Sequence, residues 1–204
     1  MIKNVIFDMG QVLIHWTPEL YLARYELKEE DKQLLKTEVF GGVEWVQLDR
    51  GSISEDDALD AICARLPRKL QRIAEELVTE WWRQPMHPVD GMAELIAQLK
   101  CKGYGIYLLS NANMRLRDYF RWIPGASYFD GIMVSAEEKM LKPHYEIYKA
   151  LFERFDLKPE ECFFVDDNPL NIEGAACCGM AGTVFRGDVN RLKRELLDAG
   201  IWLM

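Results

Sequence analysis

Val5-Ile6-Phe7-Asp8-Met9-Gly10-Gln11-Val12-Leu13 decides how this chain is read. Its first three residues form a short, continuous, β-favouring apolar run that stops at a carboxylate, with Gly10 two residues further on. That pattern predicts a buried strand running into a tight loop, with Asp8 at the strand's carboxyl end. The pattern recurs three times: Ile106-Tyr107-Leu108-Leu109 ends at Ser110-Asn111, Ile132-Met133-Val134 ends at Ser135, and Phe163-Phe164-Val165 ends at Asp166-Asp167. A fifth run, Thr183-Val184-Phe185, completes the set.

Amphipathic helices lie between these runs. Met92, Leu95, Ile96 and Leu99 fall at helical spacing, as do Tyr148, Leu151, Phe152 and Phe155, and then Val189, Leu192 and Leu196. Fully apolar strands alternating with helices predict an α/β fold with a parallel sheet covered on both faces, because right-handed crossovers put helices on each side. Ligands of such sheets bind beyond the carboxyl ends of the strands, so the polar residues that terminate the runs are the site candidates.

From about Trp16 to Pro85 the alternation stops, and helical patterns follow one another with no convincing strand. Thr17-Pro18 has the form of an N-cap with proline at the first helical position, and Ser54 with Asp57 resembles a capping box. Gly41-Gly42 and Leu66-Pro67 are expected to separate the helices of this insert, and Met86-His87-Pro88 to return the chain to the core.

With 204 residues, the chain has room for one α/β core and a smaller accessory domain. Its 33 acidic against 25 basic residues give a formal charge of -8, which argues against a nucleic-acid partner, since phosphate backbones are bound by clustered Lys and Arg. An anionic small substrate would need a local cation. The apolar run at the start is too short for a signal peptide and no later run approaches bilayer length, so a soluble cytoplasmic protein with no membrane association and no obligate protein partner is expected. Cys63, Cys101, Cys162, Cys177 and Cys178 form no paired spacing and are expected to be reduced, buried thiols. His15 is expected near the hinge, packed or solvated, and His87 and His144 to be structural. The tryptophans are expected mostly to pack, with one or two at the site entrance.

Taken in order, four segments resemble the four motifs of the haloacid dehalogenase superfamily: Phe7-Asp8-Met9-Gly10-Gln11-Val12-Leu13, Leu109-Ser110-Asn111, Lys142-Pro143 and Val165-Asp166-Asp167-Asn168. The resemblance implies a Rossmann-like three-layer α/β/α core, formed by 1–15 and 86–204, and an inserted helical cap of the C1 type, formed by 16–85. The Gly10-Gln11 form of the first loop is most similar to the branch that includes α-D-glucose-1-phosphate phosphatases.

Elementary chemistry agrees with that resemblance. Phosphate monoesters hydrolyse very slowly unaided, and a carboxylate nucleophile divides the reaction into formation and hydrolysis of an aspartyl phosphate. Asp8 is the expected nucleophile. Its approach to a phosphate dianion requires positive charge, and with Asp166 and Asp167 it would form a three-carboxylate cluster suited to Mg2+. The resemblance further implies Asp8, Asp167 and the Gly10 carbonyl as direct metal ligands and Asp166 as a direct or water-mediated one. Ser110, with Asn111 and nearby N–H groups, would hold a phosphoryl oxygen, and Lys142 would supply a fixed cation linking nucleophile to phosphate.

One position departs from the pattern. Most phosphatases of this superfamily carry a second Asp two residues after the nucleophile as general acid and base, and here that position is Gly10. Water, the substrate or an acidic leaving group would have to compensate, so sugar 1-phosphates are expected to turn over faster than alkyl phosphates. The substrate expected is a small phosphorylated metabolite, with a sugar phosphate as one option. Alternatives are a 2-haloacid dehalogenase, against which the Asp166-Asp167 pair argues, a non-catalytic phospholigand-binding descendant, and more remotely a phosphomutase.

Overall fold

The computed structural model describes residues 1–83 and 86–203. In chain order its regular elements are β1 (Asn4–Phe7), β2 (Ile14–His15), α1 (Pro18–Leu22), α2 (Glu29–Leu35), α3 (Val43–Arg50), α4 (Glu55–Arg65), α5 (Arg68–Thr79), β3 (His87–Pro88), α6 (Met92–Cys101), β4 (Gly105–Ser110), α7 (Leu116–Tyr119), β5 (Gly131–Val134), α8 (Ser135–Glu138), α9 (Tyr145–Phe155), β6 (Cys162–Asp166), α10 (Pro169–Cys177), β7 (Ala181–Val184) and α11 (Val189–Asp198).

Five strands form one parallel sheet in the order β5-β4-β1-β6-β7, and each of the five sequence runs supplies one. The last run is displaced: β7 covers Ala181–Val184, and Phe185 N closes the ladder by donating to the Asp166 carbonyl. β1 is central because its residues can be buried on both faces. Val5, Ile6 and Phe7 are all fully buried, with Val5 and Phe7 in one apolar layer and Ile6 in the other. The first layer holds Leu95 and Ile96 of α6 and Leu192 and Leu196 of α11; the second holds Ile147, Tyr148 and Leu151 of α9. Helices therefore cover both faces, as the apolar runs require.

Register fixes the site. Phe7 pairs with Leu108 of β4 and Val165 of β6, so the carboxyl ends of three adjacent strands lie side by side and release Asp8, Ser110 and Asp166 at one edge. This is the crevice that open α/β sheets leave for ligands.

The described part of 16–85 carries α1 to α5, a π-helical turn at Lys36–Phe40 and a 3₁₀ turn at Trp81–Arg83, and no strand; the proposed domain boundary at 85 falls outside the described residues. Pro18 opens α1 at its first position, although Thr17 makes no side-chain cap. Ser54 Oγ accepts from Asp57 N at 3.1 Å and donates to the Asp57 carboxylate at 2.6 Å, closing the expected cap of α4. Gly41-Gly42 and Leu66-Pro67 separate helices as expected. Entry to and exit from the insert are tied together by β2 and β3, antiparallel neighbours in which His15 lies opposite His87, both exposed.

One expectation is corrected. The cysteines are free, but Cys101 and Cys177 are exposed, and only Cys162 is fully buried. Both exposed thiols lie at helix ends, α6 and α10, where the amphipathic stripe has run out. Among the described residues, no helix is long and apolar enough to cross a membrane.

Candidate active site

Asp8 leaves β1 with its N–H held by the Val165 carbonyl at 2.9 Å, which locks it to the neighbouring strand. It is 8% exposed, and burial raises its carboxyl to about 6 despite the pull of Lys142, with the Asp166 charge adding to the rise.

Lys142 is the positive centre. Its ammonium has three N–H donors and the structure satisfies all three: Asp8 Oδ1 at 2.8 Å, Asp166 Oδ2 at 2.7 Å and the Leu109 carbonyl at 2.9 Å. Burial alone would favour its neutral form, but Asp8 and Asp166 outweigh that and hold its pKa above the ordinary lysine value. A cation with two carboxylates is the arrangement in which a buried charge is tolerable.

Asp166, fully buried at the end of β6, is held through both carboxylate oxygens. Oδ1 accepts from Asn168 N at 2.8 Å, Oδ2 accepts from Lys142, and Asn171 Nδ2 lies 3.0 Å from both oxygens. Asp167 turns outward and is exposed, and its carboxyl is raised by partial burial and by the Asp166 charge. Carboxylate oxygens of Asp8, Asp166 and Asp167 lie within 4.8 Å of one another. Three acidic groups so close are strained by mutual repulsion, and a small divalent cation with oxygen ligands would relieve it, so the donor set fits Mg2+.

Ser110 is 1% exposed at the tip of β4. Asn111, expected as a phosphate contact, spends its amide on the main chain of Lys142: Nδ2 donates to the Lys142 carbonyl at 3.0 Å and Oδ1 accepts from Lys142 N at 2.9 Å. Asn171, which sequence reading did not single out, is 6% exposed and fixes Asp166. Its signal was present in the spacing. Pro169 starts α10, and a polar residue in that first turn can reach back to the strand end.

A cavity of about 110 Å³ opens beside Asp8, Met9 and Gly10. Its core-side wall includes Asn111 and Ala112, and its other wall is aromatic: Trp16, Trp45, Trp81 and Tyr119, with Asp49 among them. The rings form a chain, Trp45 to Trp16 at 5.5 Å, Trp16 to Trp81 at 6.0 Å and Trp81 to Tyr119 at 5.1 Å between centroids. Three tryptophans thus line the site, more than the one or two expected. Trp81 Nε1 and the Tyr119 hydroxyl are buried there without a hydrogen-bond partner.

A doubly covered parallel sheet that gathers a buried carboxylate, a buried lysine and two further carboxylates at its carboxyl edge has the architecture of an α/β enzyme with its site at the strand ends. The family model of haloacid dehalogenase-like hydrolases matches residues 2–179, and the chain belongs to that family. It is 31% identical over 188 residues to the sesquiterpene phosphatase astK of Aspergillus oryzae, covering 88% of each chain. It is 27% identical over 186 residues to the D-ribitol-5-phosphate phosphatase of Bacteroides thetaiotaomicron, covering 84% of this chain and 86% of that one. The solved structure of the family member bt-2542 from Bacteroides thetaiotaomicron, in complex with magnesium and inorganic phosphate, superposes with a TM-score of 0.67 at 26% identity over 94% of this chain and 99% of the other. The chain is therefore a haloacid dehalogenase-like hydrolase with a Rossmann-like core and a helical cap, and its relatives include phosphatases.

Proposed function

We propose that this hydrolase is a magnesium-dependent phosphatase that removes the phosphoryl group of a small phosphorylated metabolite through an aspartyl phosphate on Asp8. The observation that carries the reading is the contact between Lys142 and both Asp8 and Asp166, inside a carboxylate cluster within 4.8 Å. A fixed ammonium at the nucleophile offsets the repulsion between carboxylate and phosphate, which is where electrostatic stabilisation has most effect.

In this reading Asp8 and Asp167, with the Gly10 carbonyl, hold the cation directly. Asp166 meets it directly or through water and has a second task, fixing Lys142. Bound magnesium would supply Lewis-acid neutralisation of the phosphoryl oxygens. Ser110 would donate to one of those oxygens. Asn111 would act through its grip on Lys142, leaving contact with phosphate to main-chain N–H groups of its loop. The insert 16–85 is proposed as the cap that closes the chamber over 1–15 and 86–204. Aromatic walls suit a compact alcohol that presents an apolar face, a description that sugars and polyols meet.

A panel of phosphomonoesters assayed with magnesium and with chelator tests the proposal. Phosphate release that needs the metal and vanishes in Asp8→Asn is the expected result. Activity surviving in that variant, or halide release from 2-haloacids without metal, would overturn it.

A further inference from the structure

If the phosphatase reading holds, one task lacks a group: nothing at Gly10 can protonate the departing alcohol. The space is there, since a Cβ at Gly10 would meet no atom within 4 Å, but the chain leaves it empty. A second acidic residue lines the chamber with Asp8 and Gly10, and it comes from the insert: Asp49, in the last turn of α3. We propose that Asp49 is the general acid and base of this active site, replacing from the cap the group that the first loop lacks.

Three observations fix its position. Ser135, fully buried at the start of α8, donates from Oγ to the Asp49 carbonyl at 2.5 Å and accepts from Ala112 N at 2.9 Å, which ties α3 to the loop that walls the chamber. Gly51 caps α3 in the left-handed region at φ 70° and packs so closely that a Cβ there would lie 2.1 Å from the Ala136 carbonyl oxygen. Arg115 then clamps Glu55 of α4 through two contacts, at 2.8 and 2.6 Å. The end of α3 is docked on the core, so Asp49 keeps its place as a loop-borne group would not.

Its surroundings suit the task. Trp16, Trp45, Trp81 and Tyr119 line the chamber with it, and the carboxyl end of a helix disfavours an anion. Burial raises its carboxyl above the ordinary aspartate range and so favours the protonated form that a leaving alcohol needs.

The steps balance. As a bond forms between Asp8 and phosphorus, the phosphorus–oxygen bond to the alcohol breaks and the Asp49 proton passes to the alcohol oxygen. Water then attacks phosphorus, the bond to Asp8 breaks, and Asp49 takes the water proton. The net change is ester plus water to alcohol plus inorganic phosphate, with Asp49 again protonated.

The test compares Asp49→Asn with the parent protein, both with magnesium, on a simple alkyl phosphate and on 4-nitrophenyl phosphate, whose phenolate leaves without a proton. The ratio of the two kcat/KM values is read, because it does not depend on how much of the sample is folded. The alkyl-to-aryl ratio is expected to fall by about 10²- to 10⁴-fold, the usual contribution of a general acid. An unchanged ratio would overturn this proposal and leave the phosphatase reading intact, whereas a parent protein inert toward both esters would remove that reading itself.

Discussion

Asn111 and Lys142 form a closed pair, in which the amide of the one donates to the carbonyl and accepts from the N–H of the other, at 3.0 and 2.9 Å. The loop after β4 thereby sets where the backbone of Lys142 stands, and so where its ammonium meets Asp8. Side-chain hydrogen bonds of this sort hold the Lys142 charge in register with the Asp8 carboxylate across 31 residues of sequence.

Asn111→Ala should therefore act through Lys142. With the main-chain groups of a buried lysine unpaired, stability is expected to fall by about 1–3 kcal/mol. Phosphatase turnover should fall through kcat more than through KM. Urea unfolding and steady-state kinetics check both, and a variant with unchanged kcat would assign the amide no positioning role.

Magnesium should stabilise the fold as well as activate it. A cation that binds only the folded state at 100 times its Kd adds about 2.7 kcal/mol, seen as a raised unfolding midpoint that chelation reverses. In Asp167→Asn that rise is expected to shrink sharply, because the exposed carboxylate proposed as a ligand is lost while Lys142, Asp8 and Asp166 keep their contacts. An equal rise in both proteins would place the cation elsewhere.

The strand ends were legible because a short apolar run that stops at a polar residue is a local signal, and register brings three such ends together once β1 is central. The gap at Gly10 was legible for the same reason. What fills it was not: Trp45 to Gly51 reads as an ordinary helix end with its capping glycine, and only docking on Ser135 and Ala136 brings Asp49 to the chamber. The aromatic wall likewise draws on Trp16, Trp45, Trp81 and Tyr119 from separate elements. β2 and β3 escaped because two-residue strands carry no periodicity. The ratio of sugar 1-phosphate to alkyl phosphate turnover separates the two readings of Gly10: a wide ratio is expected with no acid in the chamber, a narrow one with Asp49 as the acid.

Acid should weaken the insert through Glu44. It is 5% exposed, and both its carboxylate oxygens accept from Arg65 at 2.8 Å. The Arg65 hydrogen bonds hold its carboxyl below the ordinary value of 4.5. A depressed carboxyl stabilises the fold above its unfolded value and loses that contribution as pH falls through its folded one. Glu44→Gln is thus expected to cost about 1.5–3 kcal/mol at pH 7 and progressively less below the ordinary glutamate range. Urea unfolding of both proteins across that range checks it; a penalty independent of pH would mean that packing, not charge, is at stake.

Two glycines separate conformational strain from steric contact. Gly51 and Gly103 both sit at positive φ, 70° and 86°, but a Cβ at Gly103 would meet nothing within 4 Å, while at Gly51 it would stand 2.1 Å from the Ala136 carbonyl oxygen. Gly103→Ala should cost only the left-handed penalty of about 1–2 kcal/mol. Gly51→Ala adds overpacking of about 1–3 kcal/mol, which the end of α3 can relieve only by lifting from Ser135 and Ala136. Because Asp49 is in that turn, lifting it should also lower the alkyl-to-aryl kcat/KM ratio, which Gly103→Ala leaves alone. Equal destabilisation and equal ratios in the two variants would show that α3 is not pinned to the core where its carboxyl is needed.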